Sequence, residues 1–449
     1  MNCRPHAETP LITRPNSCEC ERGSALLIIL IGITVVGISL ASYLNLVSWQ
    51  NKTVRRSEQW NAAIPVLEAG IEEALTHLTA SAGKLGNNGW TLVNGAYTKE
   101  RMLGENRYVV TLSTDAKPII ISRAYMRDLI ATNFLPAPRA VKVTVTTGAL
   151  LAKGMVAKGE IDLSGNNIKT DSFDTGDPAY HTNGKYDPAK TKDNGDIATN
   201  SDMVDSLNVW NADIFGKAST GPGGTVKIGP NGAVGSKAWH SGGNKGIQPG
   251  WSSDDMNVQF PDVIAPFSGG AQIPASGTVN GTNYTYVLGN GNYQLSSLGL
   301  TGKEEVIVTG NAVLLVTGNV SMAGQAQILI ASNASLNLYV GGASASLAGN
   351  GIANSNSNAT NFWYWGLPGN TSLSLSGNAA FTGVIYAPNA AFTLGGGGNN
   401  TYDFVGASIS ASVKMNGHFK FHYDENLARV GPSRGFIVDS WNEIVWEEL

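Results

Sequence analysis

Apolar and polar positions fall into three different patterns along this chain. The first stretch, Gly23 to Asn51, has no charged side chain; Arg22 stands before it, and Lys52, Arg55 and Arg56 follow. At ~1.5 Å of rise per residue, its apolar part from Ala25 to Trp49 predicts a helix ~37 Å long. That exceeds the ~30 Å hydrocarbon core of a bilayer and leaves room for tilt. Tyr43 and Trp49 fall where interfacial aromatic residues sit.

The second stretch is amphipathic. Trp60, Ala63, Ile64, Leu67, Ile71, Ala74, Leu75 and Leu78 recur in steps of three and four, with Glu58, Glu68, Glu72, Glu73 and Thr76 on the other side. Pro65 cannot donate to the Asn61 carbonyl, which predicts a bend, and the glycines and asparagines of 81–89 stop the pattern. Residues 24–80 therefore read as one long kinked helix, with 24–49 in the membrane. Glu72 and Glu73 read as a solvated helix face.

The third stretch has a period of two. Tyr108 to Leu112 and Ala140 to Val145 alternate as strands do, the latter with Val141, Val143 and Val145 on one face. Residues 81–149 are expected to form a small α+β connecting domain. Past Leu150, short apolar runs are punctuated by Gly-Asn pairs, at 165–166, 289–290, 291–292, 310–311, 318–319, 349–350, 377–378 and 398–399. Short strand, Gly/Asn corner, short strand predicts a parallel β-helix, a solenoid, over 150–428. Glycine and asparagine would tolerate positive φ at its corners. About a dozen coils at ~4.8 Å would make a rod of roughly 55 Å. An antiparallel β-sandwich is the competing reading. The expected fold class is thus an N-terminal long transmembrane and amphipathic α-helix followed by a mainly-β body, with 429–449 as a tail or cap.

Composition narrows the function. Among 449 residues, 54 are glycine, 14% are charged and the formal net charge is -4. An average globular chain is ~25% charged, and the missing basic excess argues against a nucleic-acid partner. Cys3, Cys18 and Cys20 all precede the apolar run, so no disulfide is expected in the body; Cys18-x-Cys20 lacks the gap of a redox or zinc pair. No nucleotide-binding loop, nucleophile elbow or zinc spacing appears, and no enzyme is expected.

Candidate chemistry is sparse. The polar stretch 171–205 reads as an insertion rich in Asp-Pro and Asn-Gly turns. Its carboxylates Asp171, Asp174 and Asp177, with Asp193 and Asp196, could ligate calcium, the one cofactor the sequence suggests. Their spacing is not that of the helix-loop-helix calcium motif, and solvated loop carboxylates are the preferred reading. Trp210, Trp239 and Trp251 could pack the insertion down or form a glycan-stacking surface. His418 and His422 share a strand face but lie ~13 Å apart, too far for one metal. The aromatic residues around them are expected to cap the solenoid end.

Two motifs carry a family resemblance. Arg22-Gly23-Ser24 resembles the cleavage site of type IV prepilins, where a peptidase cuts after glycine on the cytoplasmic side and leaves the apolar helix on the mature chain. Residues 1–23 would be the leader. Ile28 occupies the position where most prepilins carry a glutamate. The phrase RGSALLIILIGIT, followed by Leu67-Glu68-Ala69-Gly70-Ile71-Glu72-Glu73-Ala74, resembles the N-terminal region of PilX-type pilus assembly proteins. Gly32, Gly37 and Gly70 would let a neighbouring helix come close. Segments such as GVIYAPNA, FHYDENL and SWNEI are similar to a β-helical domain that often follows such N-termini. The resemblance implies a structural pilin-like subunit or assembly factor, passing once through the inner membrane with its body outside the cytoplasm. Its implied partners are other pilin-like subunits, prepilin peptidase and a surface glycan or protein. The alternative is a membrane-anchored adhesin or glycan-binding or glycan-cleaving β-helix protein outside any pilus.

Overall fold

One helix, Arg22–Ala80, runs for 59 residues and contains Pro65 without ending there. The computed structural model describes residues 22–80, 86, 88–115, 117–127, 134, 139–165, 167–376, 381–395 and 402–444. The chain divides into two compact units, Met1–Thr146 with Ile437–Leu449, and Thr147–Phe436.

In the first unit the helix changes surroundings half-way. Its first half is bare, with Leu26 72% and Trp49 73% exposed, and it is long and apolar enough to cross a membrane. Its second half buries Ala63, Val66, Leu67, Ile71, Ala74 and Leu78. The buried stripe is turned slightly from the one the spacing suggests. Trp60 and Ile64 lie at its edge, where Trp60 lies under the Arg139 guanidinium, 4.8 Å away. The stripe packs on an antiparallel sheet of strands Thr91–Val93, Ala96–Leu103, Asn106–Ser113, Ile119–Tyr125 and Arg139–Ala149. Asn94 and Gly95, both at positive φ, make the first hairpin, as a two-residue turn of this type requires. Val141, Val143 and Val145 are buried, as their alternation predicts.

The expected C-terminal tail is in fact a strand. Ser433–Ile444 lies beside Arg139–Ala149 in the same sheet, where Ser440 Oγ is 2.6 Å from Thr144 Oγ1 and Arg139 bonds the Glu443 carboxylate at 2.9 Å. No local signal gives this away, because the pairing partner lies almost 300 residues earlier.

The second unit is mostly β, and its strands pair in parallel apart from the antiparallel hairpin Ala275–Val279/Thr282–Leu288. One column of register partners reads Tyr293, Leu314, Leu338, Tyr364, Ile385, Ser408, Met155, Ile197, Ala218, Ser252. Sequence order and spatial order differ here. Residues 291–424 form one block of stacked layers, 155–253 form another, and the last layer of the later block pairs with the first layer of the earlier one. The connecting segment returns along the outer surface. Asn200 brackets the backbone of Val258, the Tyr386 hydroxyl donates to the Pro261 carbonyl at 2.7 Å, and Phe260 and Val263 are buried on the way.

The aromatic residues expected to cap an end lie within the stack. Phe421 stacks on Phe404 at 4.4 Å and Phe404 on Phe381 at 4.6 Å, all under 2% exposed, because register places them one above another.

The described Gly-Asn corners work mainly by close approach; 377–378 and 398–399 lie outside the described residues. Gly291 and Gly349 do adopt positive φ. Gly310 and Gly318 do not, but a Cβ there would sit 2.6 Å from the Asn290 amide nitrogen and 2.4 Å from the Ser296 carbonyl oxygen, in the layer beneath. The asparagines bridge layers: Asn290 Oδ1 accepts from the Asn311 amide at 2.7 Å, and Asn311 Oδ1 from the Ser335 hydroxyl at 2.9 Å.

Candidate functional site

Where the two blocks of the second unit meet, buried polar side chains cluster. His422, from strand Phe419–Asp424, is 1% exposed. Its Nδ1 faces Asp171 Oδ1 at 2.5 Å and its Nε2 faces Asp403 Oδ1 at 3.3 Å. Tyr186 stacks on the imidazole at 3.7 Å and donates to Asp171 Oδ2 at 3.0 Å, where Lys169 Nζ also arrives at 2.9 Å. Register makes this meeting possible: His422 is the parallel partner of Asp171 on one side and of Val405 on the other.

Electrostatics follows the geometry. Burial alone would pull the His422 pKa down, but hydrogen bonds and charge from Asp171 and Asp403 outweigh it and leave it raised. Burial pushes the Asp171 carboxyl up; the imidazole and the Lys169 ammonium reverse this and hold it below the usual value. Asp403 is lowered chiefly by its hydrogen bond to His422. An imidazolium clamped between two carboxylates is the state all three shifts favour.

More ties cross the same seam. Glu425 accepts from Ser172 Oγ and Asn194 Nδ2, each at 2.8 Å, and pairs with Lys192. Asp424 accepts from the amide and hydroxyl of Thr175, at 3.0 and 2.7 Å. Burial raises its carboxyl despite those bonds. Arg429 pairs with Asp174.

The calcium candidates are therefore engaged otherwise. Asp171 and Asp174 are buried, 1% and 5% exposed, and are not solvated loop carboxylates. Asp171 is committed to His422, Tyr186 and Lys169, and Asp174 to Arg429 and the Gly176 amide. Asp177 caps the short 3-10 turn Pro178–Tyr180, as Asp187 caps Pro188–Lys190. In both Asp-Pro pairs the carboxylate satisfies a free amide and proline fills the first helical position. Among the described residues no group of three or more His, Cys, Asp or Glu is placed to hold a metal.

The other sequence-derived residues are scattered. Arg22, Gly23 and Ser24 begin the long helix; their side chains, the leader and the three cysteines lie outside the described residues. A Cβ on Gly32 or Gly37 would meet nothing within 4 Å. Gly70 meets the chain's own sheet, where a Cβ would lie 2.5 Å from Ser122 Oγ and 3.1 Å from Tyr108 Cδ2. Glu72 is exposed, but Glu73 is bonded to Tyr108 and Lys99 and ties helix to sheet, and burial, helped by the bond to Glu73, pushes the Tyr108 hydroxyl up to about 12. Trp210 is exposed, Trp239 sits in the short helix Lys237–Ser241 and Trp251 packs on the core, so they form no common aromatic surface. His418 lines a cleft of about 570 Å³ with Lys169, Asp213 and Lys420.

Residues 268–430 match the model of a family described as a domain of unknown function (DUF7305). No curated protein and no solved structure matches the chain. The matched stretch contains Asp403, His422, Asp424, Glu425 and Arg429, whereas Asp171, Asp174, Ser172 and Lys192 precede it. The seam thus joins the matched stretch to the block outside it. In the sequence Asp171 stands among the calcium candidates and His422 in a histidine pair spaced too widely for one metal. Nothing in their 251-residue separation marks them as partners.

Proposed function

We propose that the chain is a structural pilin-like subunit or assembly factor of a type IV pilus system, of the PilX type. In this reading it is inserted in the inner membrane through residues 25–49, with a β-helical body outside the cytoplasm for assembly or adhesion. The observation that carries the reading is the divided helix: a bare apolar half, then a half whose stripe is buried on an antiparallel sheet. A soluble protein would leave that first half with no means to satisfy its apolar surface in water. The continuous parallel columns of the second unit support the β-helix.

The seam cluster supports a structural role for the body. An acid–histidine pair at 2.5 Å could serve as a general base if the far nitrogen faced a substrate or nucleophile. Here that nitrogen faces Asp403, and the ring is covered by Tyr186.

The deciding measurement is the N-terminus of the mature protein, by mass spectrometry of membrane and sheared-surface fractions. A chain beginning at Ser24 is expected. An intact leader found in membranes alone would overturn pilin processing and leave a signal-anchored body.

A further inference from the structure

The long helix carries Lys52, Arg55 and Arg56 directly past its apolar half, and its first acidic residue after them is Glu58. All three cations are exposed, and among the described residues no carboxylate comes within 4.0 Å of any of them. The acid that does make ion pairs on this helix, Glu73, lies about five turns further on.

Lys52 and Arg55 line a shallow groove of about 340 Å³ with Leu44, Val47, Ser48 and Asn51. These positions step by three and one, so they share one helix face. The face changes chemistry along its length: Leu44 and Val47 are apolar, Ser48 and Asn51 polar, Lys52 and Arg55 cationic. From Leu44 to Arg55 it runs ~16 Å, far enough to pass from the acyl region to the headgroup region.

We propose that this groove seats an anionic glycerophospholipid, its acyl chain along Leu44 and Val47 and its phosphate at Lys52 and Arg55, with Arg56 beside them. Charge complementarity argues for this occupant: the groove offers two cations that no carboxylate among the described residues answers, next to apolar surface that water would not cover. Anionic lipids answer both, since basic residues at a membrane surface attract them and form charge-assisted hydrogen bonds to phosphate. The inference rests on the membrane-inserted reading.

The test uses the full chain in vesicles of phosphatidylcholine with a minor fraction of phosphatidylglycerol. Brominated acyl chains are placed on one lipid or the other, and quenching of Trp49 is isolated by comparison with Trp49→Phe. Brominated phosphatidylglycerol should quench roughly tenfold or more per molecule over brominated phosphatidylcholine, the enrichment two or three surface cations supply. In the triple variant Lys52→Gln, Arg55→Gln, Arg56→Gln, with helix content unchanged by circular dichroism, the ratio should fall to about one. Equal quenching by both lipids, or a ratio that survives the triple substitution, overturns the lipid groove while leaving insertion intact. Quenching by neither lipid overturns both.

Discussion

At the scale of single residues, His422 shows how much one side chain can hold. Its raised pKa contributes stability that is complete below the unfolded value of 6.5 and lost as pH climbs through the folded value. Asp171 and Asp403, both lowered, contribute stability that is complete above 3.8 and lost as pH falls through their folded values. The cluster is therefore at full strength between pH 3.8 and 6.5. His422→Gln should cost about 2 kcal/mol there, below the ~3–5 kcal/mol of an abandoned buried pair, because Lys169 and Tyr186 stay on Asp171. Urea unfolding of both forms across pH is the measurement. The difference should shrink on either side of the window, and one that ignored pH would show that packing, not charge, is what His422 supplies. Comparing the two forms cancels Asp424, whose raised carboxyl follows its own pH course.

At the scale of elements, the long helix shows which glycines serve the fold. Gly70 faces Ser122 and Tyr108 in the sheet, so a branched side chain there has to displace them. Gly70→Val should destabilise the first unit by about 1–3 kcal/mol, read by thermal denaturation. Gly32→Ala and Gly37→Ala should leave melting unchanged, since nothing lies within 4 Å of either Cβ. If these two glycines serve helix packing between subunits, the same variants should lower pilus yield; unchanged yield would remove them from that role. The existence of the helix was legible because its apolar run and its three-and-four stripe are local and long. The orientation of its stripe was legible only roughly, since Trp60 and Ile64 fit the period but lie at the edge of the sheet and stay exposed. Gly-Asn corners were legible as corners, while their reason was not. The tight contact at Gly310 comes from the Asn290 backbone one layer below, which no local pattern displays.

At the scale of the whole chain, the second unit is two blocks joined out of sequence order. The layer 402–424 should present an open edge if the earlier block were missing, and paired strands would then seek other partners. Expressed as separate fragments, residues 147–253 and 254–436 should bind each other and co-purify, and His422→Gln in the later fragment should weaken that complex. Fragments that are each soluble and indifferent to one another would show that the seam contributes little. What the sequence determined by itself is local: a helix long and apolar enough for a membrane, its amphipathic continuation, the strand periodicity and the Gly-Asn corners. Such signals need only neighbours within a turn or a strand. What tertiary structure alone decided is who meets whom: Asp171 with His422, Ser433–Ile444 with Arg139–Ala149, and the last layer with the first. Those pairings join residues some 250 to 300 positions apart. They are fixed by register and burial, which a period along the chain does not encode.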